Sequence, residues 1–269
     1  MAQRTPSAKT PERHVVFDID WTIVSEIKKP TPEILKNKRL IKVQDKTYYV
    51  NEGLEEFIAE ILSHPEMKIS FYSGGESIRN QELLSKIKLK DGRSLLQIAY
   101  KIMSKEDLVI MDAPVGARFS ERYKKDLTKI SKDMDQLIMF DDTPNFIKNS
   151  EQAEHVFFIG KALEHYETFL ETEGTSGEYV PKNYDEWFLN NKKLVVLNGV
   201  FREAYTESVE DGIPFSETMK KREGFLNMAD HEWNNQTSIY FKKIQKIDFS
   251  RPHPKGVSCQ QMARSLIGF

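Results

Sequence analysis

Cysteine is nearly absent. Cys259 is the only one in 269 residues, so no intrachain disulfide can form, and an intracellular reducing compartment is the expectation. No apolar stretch approaches the length that spans a bilayer, and mean hydropathy is −0.55. Met1 to Arg13 is polar with two prolines. It lacks the apolar centre of a signal peptide and is expected to be a disordered lead-in. A strong charge of either sign is missing too, since 39 basic and 41 acidic residues leave a net −2. That balance argues against a dedicated nucleic-acid binder and against membrane partners. Basic runs at 36–42, 118–125 and 242–246 read as solvated surface. There are no internal repeats and no low-complexity tracts. His165, His231 and His253 do not recur at metal-ligand spacing, so zinc is not expected.

What is present is a pattern of strands that end in acid. Val15 to Phe17 is an apolar run that leads into Asp18-Ile19-Asp20-Trp21-Thr22. Ionised carboxylates at the edge of a core need a counter-charge or strong donors. A divalent cation is one solution, because hard cations prefer oxygen. An Asx-rich turn capping a helix is the plainer alternative. The pattern then returns about 120 residues later, where Leu137 to Phe140 ends in Asp141-Asp142 before Thr143-Pro144-Asn145. In a parallel sheet both acidic ends lie at the carboxyl edge, where open α/β folds place ligands.

Two further pieces lie between. Lys68 to Tyr72 runs into Ser73-Gly74-Gly75, a hydroxyl and free amides that can receive phosphate oxygens. Glu121 to Ile130, expected to be helical and to continue to Asp133, offers Lys124 and Lys125, either of which could neutralise a phosphate.

The order of these four pieces resembles the four motifs of the haloacid-dehalogenase (HAD) phosphohydrolases. Lys125-Asp126-Leu127 followed by Asp141-Asp142-Thr143-Pro144 resembles the FCP/SCP-like (NLI-interacting-factor-like) protein phosphatases, over roughly Val15 to Ile159. Three departures are visible: Trp21 between the second Asp and the Thr, Ser73-Gly74-Gly75 for Thr-Ala-Ser, and Asn51-Glu52-Gly53 where a basic stretch is usual. The resemblance implies a Mg²⁺-dependent phosphatase with Asp18 as nucleophile and Asp20 as general acid and base. It implies Ser73, Gly74 and Lys125 as phosphate-binding groups. It implies Asp18, the Asp20 carbonyl and Asp142 as Mg²⁺ ligands, with Asp141 ligating directly or orienting a bound water. The inserts between motifs are too short for a large cap, so a phosphorylated protein or peptide is the expected substrate. A small-molecule or nucleic-acid-end phosphatase and a catalytically weak binding module are the alternatives.

Strand and helix patterns alternate, as in a doubly wound, mainly parallel sheet. The expected elements are strands at 15–18, 68–72, 107–111, 136–140 and 156–159, a hairpin over 38–50, and helices at 54–64, 76–89 and 94–103. The expected organisation is a HAD-like catalytic domain over 14–172, a Gly/Ser/Thr/Pro linker over 173–182, and a helical C-terminal region over 183–269. Helices are read there at 194–209 and 215–247. Their large apolar residues, such as Phe201, Phe215 and Trp233, are expected to pack on the sheet domain.

Overall fold

A computed structural model describes residues 11–27 and 39–223. β1 (Arg13–Phe17) is buried along its whole length. β2 (Val24–Ile27), β3 (Leu40–Val43) and β4 (Lys46–Val50) form an antiparallel sheet in the order β2-β4-β3. The expected hairpin is therefore β3–β4, and the chain just after the acidic pair adds a third strand to it. α1 (Leu54–Leu62) leads to β5 (Met67–Tyr72), and α2 (Ser77–Lys86) to the short α3 (Leu95–Ile98).

Two expected helices resolve differently. Ser94 caps α3 in a capping box with Gln97, but the chain is extended again by Ala99 and forms β6 (Lys101–Met103) beside β5. The apolar Ile102 pairs with Phe71, so sheet pairing overrides helical spacing there. The lysine segment is not a helix either. It splits into α4 (Phe119–Arg122) and β8 (Tyr123–Lys124), which pairs with β7 (Val109–Ile110) in a separate ribbon. Lys125 then bridges to Ile147.

The rest of the core follows as β9 (Leu137–Asp141), α5 (Ser150–Ala153) and β10 (Val156–Phe158). The main sheet has five strands in the order β10-β9-β1-β5-β6, every pair parallel. Its central strands carry buried apolar residues on both faces because both are covered. Val15 and Phe17 pack on one face with Ile69, Phe71, Ile138 and Phe140. Val16 packs on the other with Tyr72, Met139 and Leu127.

Residues 173–182 hold no helix or strand. α6 then starts at Tyr184, not near Leu194, and runs to Glu210. The Asn183 side chain starts it by accepting from the Glu186 amide. α6 and α7 (Phe215–Lys220) pack onto the first face. Phe17, Phe57, Phe201 and Phe215 form a ring-to-ring chain with centroids 5.5–6.0 Å apart. Gly53 lets α6 come this close. Its φ is +83°, and a Cβ there would lie 2.7 Å from Val195. The part of the expected 215–247 helix beyond Glu223 lies outside the described residues. Among the described residues, no helix is long and apolar enough to cross a membrane.

Candidate active site

Three strand ends meet at the carboxyl edge of the main sheet. The Asp18 amide donates to the Phe140 carbonyl at 2.9 Å, and the Ser73 amide to Met103 at 3.0 Å. Asp18 therefore lies just past β1, Ser73 just past β5, and Asp141 closes β9. After Asp18 the chain turns back sharply. Trp21 adopts φ 61°, and its amide donates to the Val24 carbonyl at 2.7 Å. Asn51 pins this turn, donating from Nδ2 to the Thr22 carbonyl at 2.8 Å. Asn51, the first residue of Asn51-Glu52-Gly53, is thus a buried amide.

Lys125 is the centre of the site. It is 0 % exposed, and its Nζ donates to Asp18 Oδ1 at 2.6 Å and to Asp141 Oδ2 at 2.7 Å. Burial works against its charge, yet Asp141 and Asp18 outweigh it and raise its pKa. Lys124 takes no part, since its Nζ points outward to the Asn145 carbonyl. Asp141 also accepts the Thr143 amide on Oδ1 at 2.7 Å, so both of its oxygens are engaged. Asp142 is partly exposed and accepts from Thr143 Oγ1 at 3.3 Å.

Asp18, Asp141 and Asp142 each place a carboxylate oxygen within 4.8 Å of the others. Burial, reinforced by the neighbouring carboxylates, raises the pKa of Asp18 despite Lys125. Burial and then Asp141 push Asp142 up as well. An all-oxygen donor set with a surplus of negative charge fits a hard divalent cation such as Mg²⁺. Lys125 and the Thr143 amide each engage one oxygen of Asp141, so Asp18 and Asp142 are the side chains best placed to hold it.

Asp20 points the other way. Ser73 Oγ donates to its Oδ2 at 3.2 Å, and Arg79 of α2 makes an ion pair with its Oδ1. The Arg79 guanidinium also lies over the Tyr48 ring, 5.1 Å from the centroid, and donates from Nε to the Tyr48 hydroxyl at 3.3 Å. Ser73 Oγ in turn accepts the Gly75 amide at 3.0 Å. Gly74 faces an aromatic wall, where a Cβ would come 3.0 Å from Phe119 and 3.2 Å from Phe146. Asp18, Asp20, Gly74, Arg79, Asp141 and Asp142 line one open cleft of about 410 Å³ that also includes Trp21, Glu26, Lys46, Phe119 and Phe146, while Ser73 and Lys125 are buried behind it.

The structure therefore brings Asp18, Asp20, Ser73, Gly74, Lys125, Asp141 and Asp142 to one edge. The family model of the NLI interacting factor-like phosphatases matches residues 13–172, more than half of the chain. The chain belongs to this family. It is a HAD-type phosphatase. Two solved structures are similar. One is the fission yeast RNA polymerase II CTD phosphatase Fcp1, a point variant bound to beryllium fluoride, at 16% identity and a TM-score of 0.40, covering 96% of this chain and 80% of that one. The other is Fcp1, described as an essential RNA polymerase II CTD phosphatase, at 16% identity, a TM-score of 0.39 and the same coverage. Scores this low leave the assignment resting on the family model. No curated relative matches the chain.

Two residues of this NLI interacting factor-like phosphatase were not visible as site residues in the sequence. Arg79 sits in a polar helix, where an arginine draws no attention. Lys193 comes from α6, beyond the family match. It is 2 % exposed, and its Nζ donates to the Trp21 carbonyl. Burial lowers its pKa to about 8 against the pull of Asp142 and Asp18. One signal for it exists, because Lys193 falls on the apolar face of α6 with Leu189, Val196, Leu197 and Val200, all buried. A lysine on such a face needs a partner.

Proposed function

We propose that the protein hydrolyses phosphomonoesters carried by phosphoproteins, in two steps through an aspartyl-phosphate on Asp18, with Mg²⁺ as cofactor. The observation that carries this reading is Lys125, fully buried between Asp18 and Asp141. A buried cation on a strand-end carboxylate orients that carboxylate and stabilises charge that grows next to it.

Asp18 would attack phosphorus, breaking the ester bond and forming the phospho-enzyme. Lys125 would offset the charge developing on the phosphoryl oxygens, and Ser73 and the Gly74 amide would donate to them. Asp20 would give a proton to the leaving oxygen and take one from the water that attacks the phospho-enzyme. Ser73 has one hydroxyl proton, which Asp20 Oδ2 accepts in this structure, so Ser73 would turn from Asp20 to the phosphoryl group and leave Oδ2 to carry that proton while Arg79 keeps Oδ1. The Asp18 and Asp142 carboxylates and the Asp20 carbonyl would hold Mg²⁺, which would supply Lewis-acid charge stabilisation when bound.

The open cleft supports a protein substrate, since a side chain on a large partner can enter it. A panel of phosphoserine, phosphothreonine and phosphotyrosine peptides tests this, with p-nitrophenyl phosphate as control and Mg²⁺ present. Phosphate release from p-nitrophenyl phosphate and from at least one peptide class is expected. Release from p-nitrophenyl phosphate but from no peptide contradicts the protein-substrate part. No release from any of them contradicts the whole reading.

A further inference from the structure

The charges of the site do not balance within the matched family region. Asp18, Asp141 and Asp142 converge within 4.8 Å, and Lys125 spans only Asp18 and Asp141. The one side-chain donor on Asp142 among the described residues is the neutral Thr143 hydroxyl. A carboxylate in such surroundings is costly without a cation.

α6 brings that cation. An ammonium has three donors. Two from Lys193 go to neutral acceptors, the Trp21 carbonyl and Asn190 Oδ1 at 3.4 Å. The opposite charges acting on it are those of Asp142 and Asp18, the same two side chains best placed to hold a divalent ion. Lys193 is also tied to the turn that follows Asp20, so it borders the region such an ion would enter.

We propose that Lys193 is a built-in counter-cation of the metal site, which balances Asp142 and Asp18 while no divalent ion is bound and opposes the ion's entry. Affinity for the cation is then set from α6, outside the matched region. The proposal rests on the metal part of the functional reading above.

Mn²⁺ binding to the full chain, followed by electron paramagnetic resonance without substrate, tests it. Lys193→Gln removes the charge but keeps a donor for the Trp21 carbonyl. It is expected to tighten Mn²⁺ binding by about tenfold to a hundredfold, the size of a like-charge repulsion over several ångströms in a partly screened interior. Its melting temperature should fall without Mn²⁺ and rise more than that of the wild type when Mn²⁺ is added. Lys193→Arg keeps the charge and should bind Mn²⁺ like the wild type. Unchanged or weaker binding by a folded Lys193→Gln overturns the proposal, as does an equal change in both variants. Lys193→Gln that folds only with Mn²⁺ supports it, because the ion then replaces the missing charge. Lys193→Gln that stays unfolded with Mn²⁺ overturns it. A wild type that binds no Mn²⁺ removes the metal reading itself, which is a different result from wild-type binding that the variant leaves unchanged.

Discussion

Lys125 Nζ lies 2.6 Å from Asp18 Oδ1 across 107 residues of sequence. The pair joins a bridge segment next to β8 to the end of β1, with Lys125 fully buried and Asp18 nearly so. Removing one member leaves the other as an uncompensated buried charge. Lys125→Met is therefore expected to cost about 3–5 kcal/mol of stability and to lower turnover by at least about a hundredfold. Urea unfolding and p-nitrophenyl phosphate kinetics check the two effects separately.

Arg79 holds Asp20 from the opposite side. Arg79→Gln should leave the fold intact and misplace Asp20, so turnover should drop by about tenfold on an alkyl phosphate, where leaving-group protonation matters most. The loss on p-nitrophenyl phosphate should be smaller, because its phenolate leaves with little help. Equal losses on both substrates contradict a role through Asp20.

Much of this site is legible in the chain because it is built from local contrasts. Apolar runs that end in Asp18, Ser73 and Asp141 are strands, and in a parallel sheet their ends converge. Lys125 is legible only through motif order. Its segment is charged like a solvated helix, and the pairing that makes it extended, with Ile147, is long-range. Ser94 to Met103 misleads in the same way, since β6 forms only because β5 offers an edge. Arg79 and Lys193 are not legible for a shared reason. Each acts on residues far away in sequence, 59 positions for Arg79–Asp20 and 172 for Lys193–Trp21.

The C-terminal helix is fixed to the catalytic sheet at Gly53. Gly53→Ala places a Cβ 2.7 Å from Val195 in a left-handed backbone and should destabilise by at least about 2 kcal/mol. A stop after Lys182 goes further, since Phe188, Leu194, Leu197, Val200 and Phe201 are all buried, each worth roughly 1.5–3 kcal/mol. The shortened protein should aggregate in size-exclusion chromatography. A soluble, cooperative and active 1–182 fragment contradicts the packing account.

His165 gives the stability a pH dependence. Its ring stacks on Tyr49 with centroids 3.5 Å apart, and burial, opposed by Glu167, pulls its pKa from 6.5 to about 4. Between those values the unfolded chain binds the extra proton. The contribution is complete above pH 6.5 and is lost as pH falls toward 4. The loss reaches about 3 kcal/mol at most. His165→Gln should lose less stability than the wild type between pH 7 and pH 5 in paired urea titrations. Parallel losses in the two proteins contradict the assignment.

The central claim is that Asp18 is the nucleophile. Its most direct test is the turnover of p-nitrophenyl phosphate by Asp18→Asn with Mg²⁺, at a melting temperature that confirms the fold. The amide is nearly isosteric and cannot attack phosphorus, so turnover should fall by more than about a thousandfold. Retention of more than about a hundredth of the wild-type kcat contradicts covalent catalysis by Asp18.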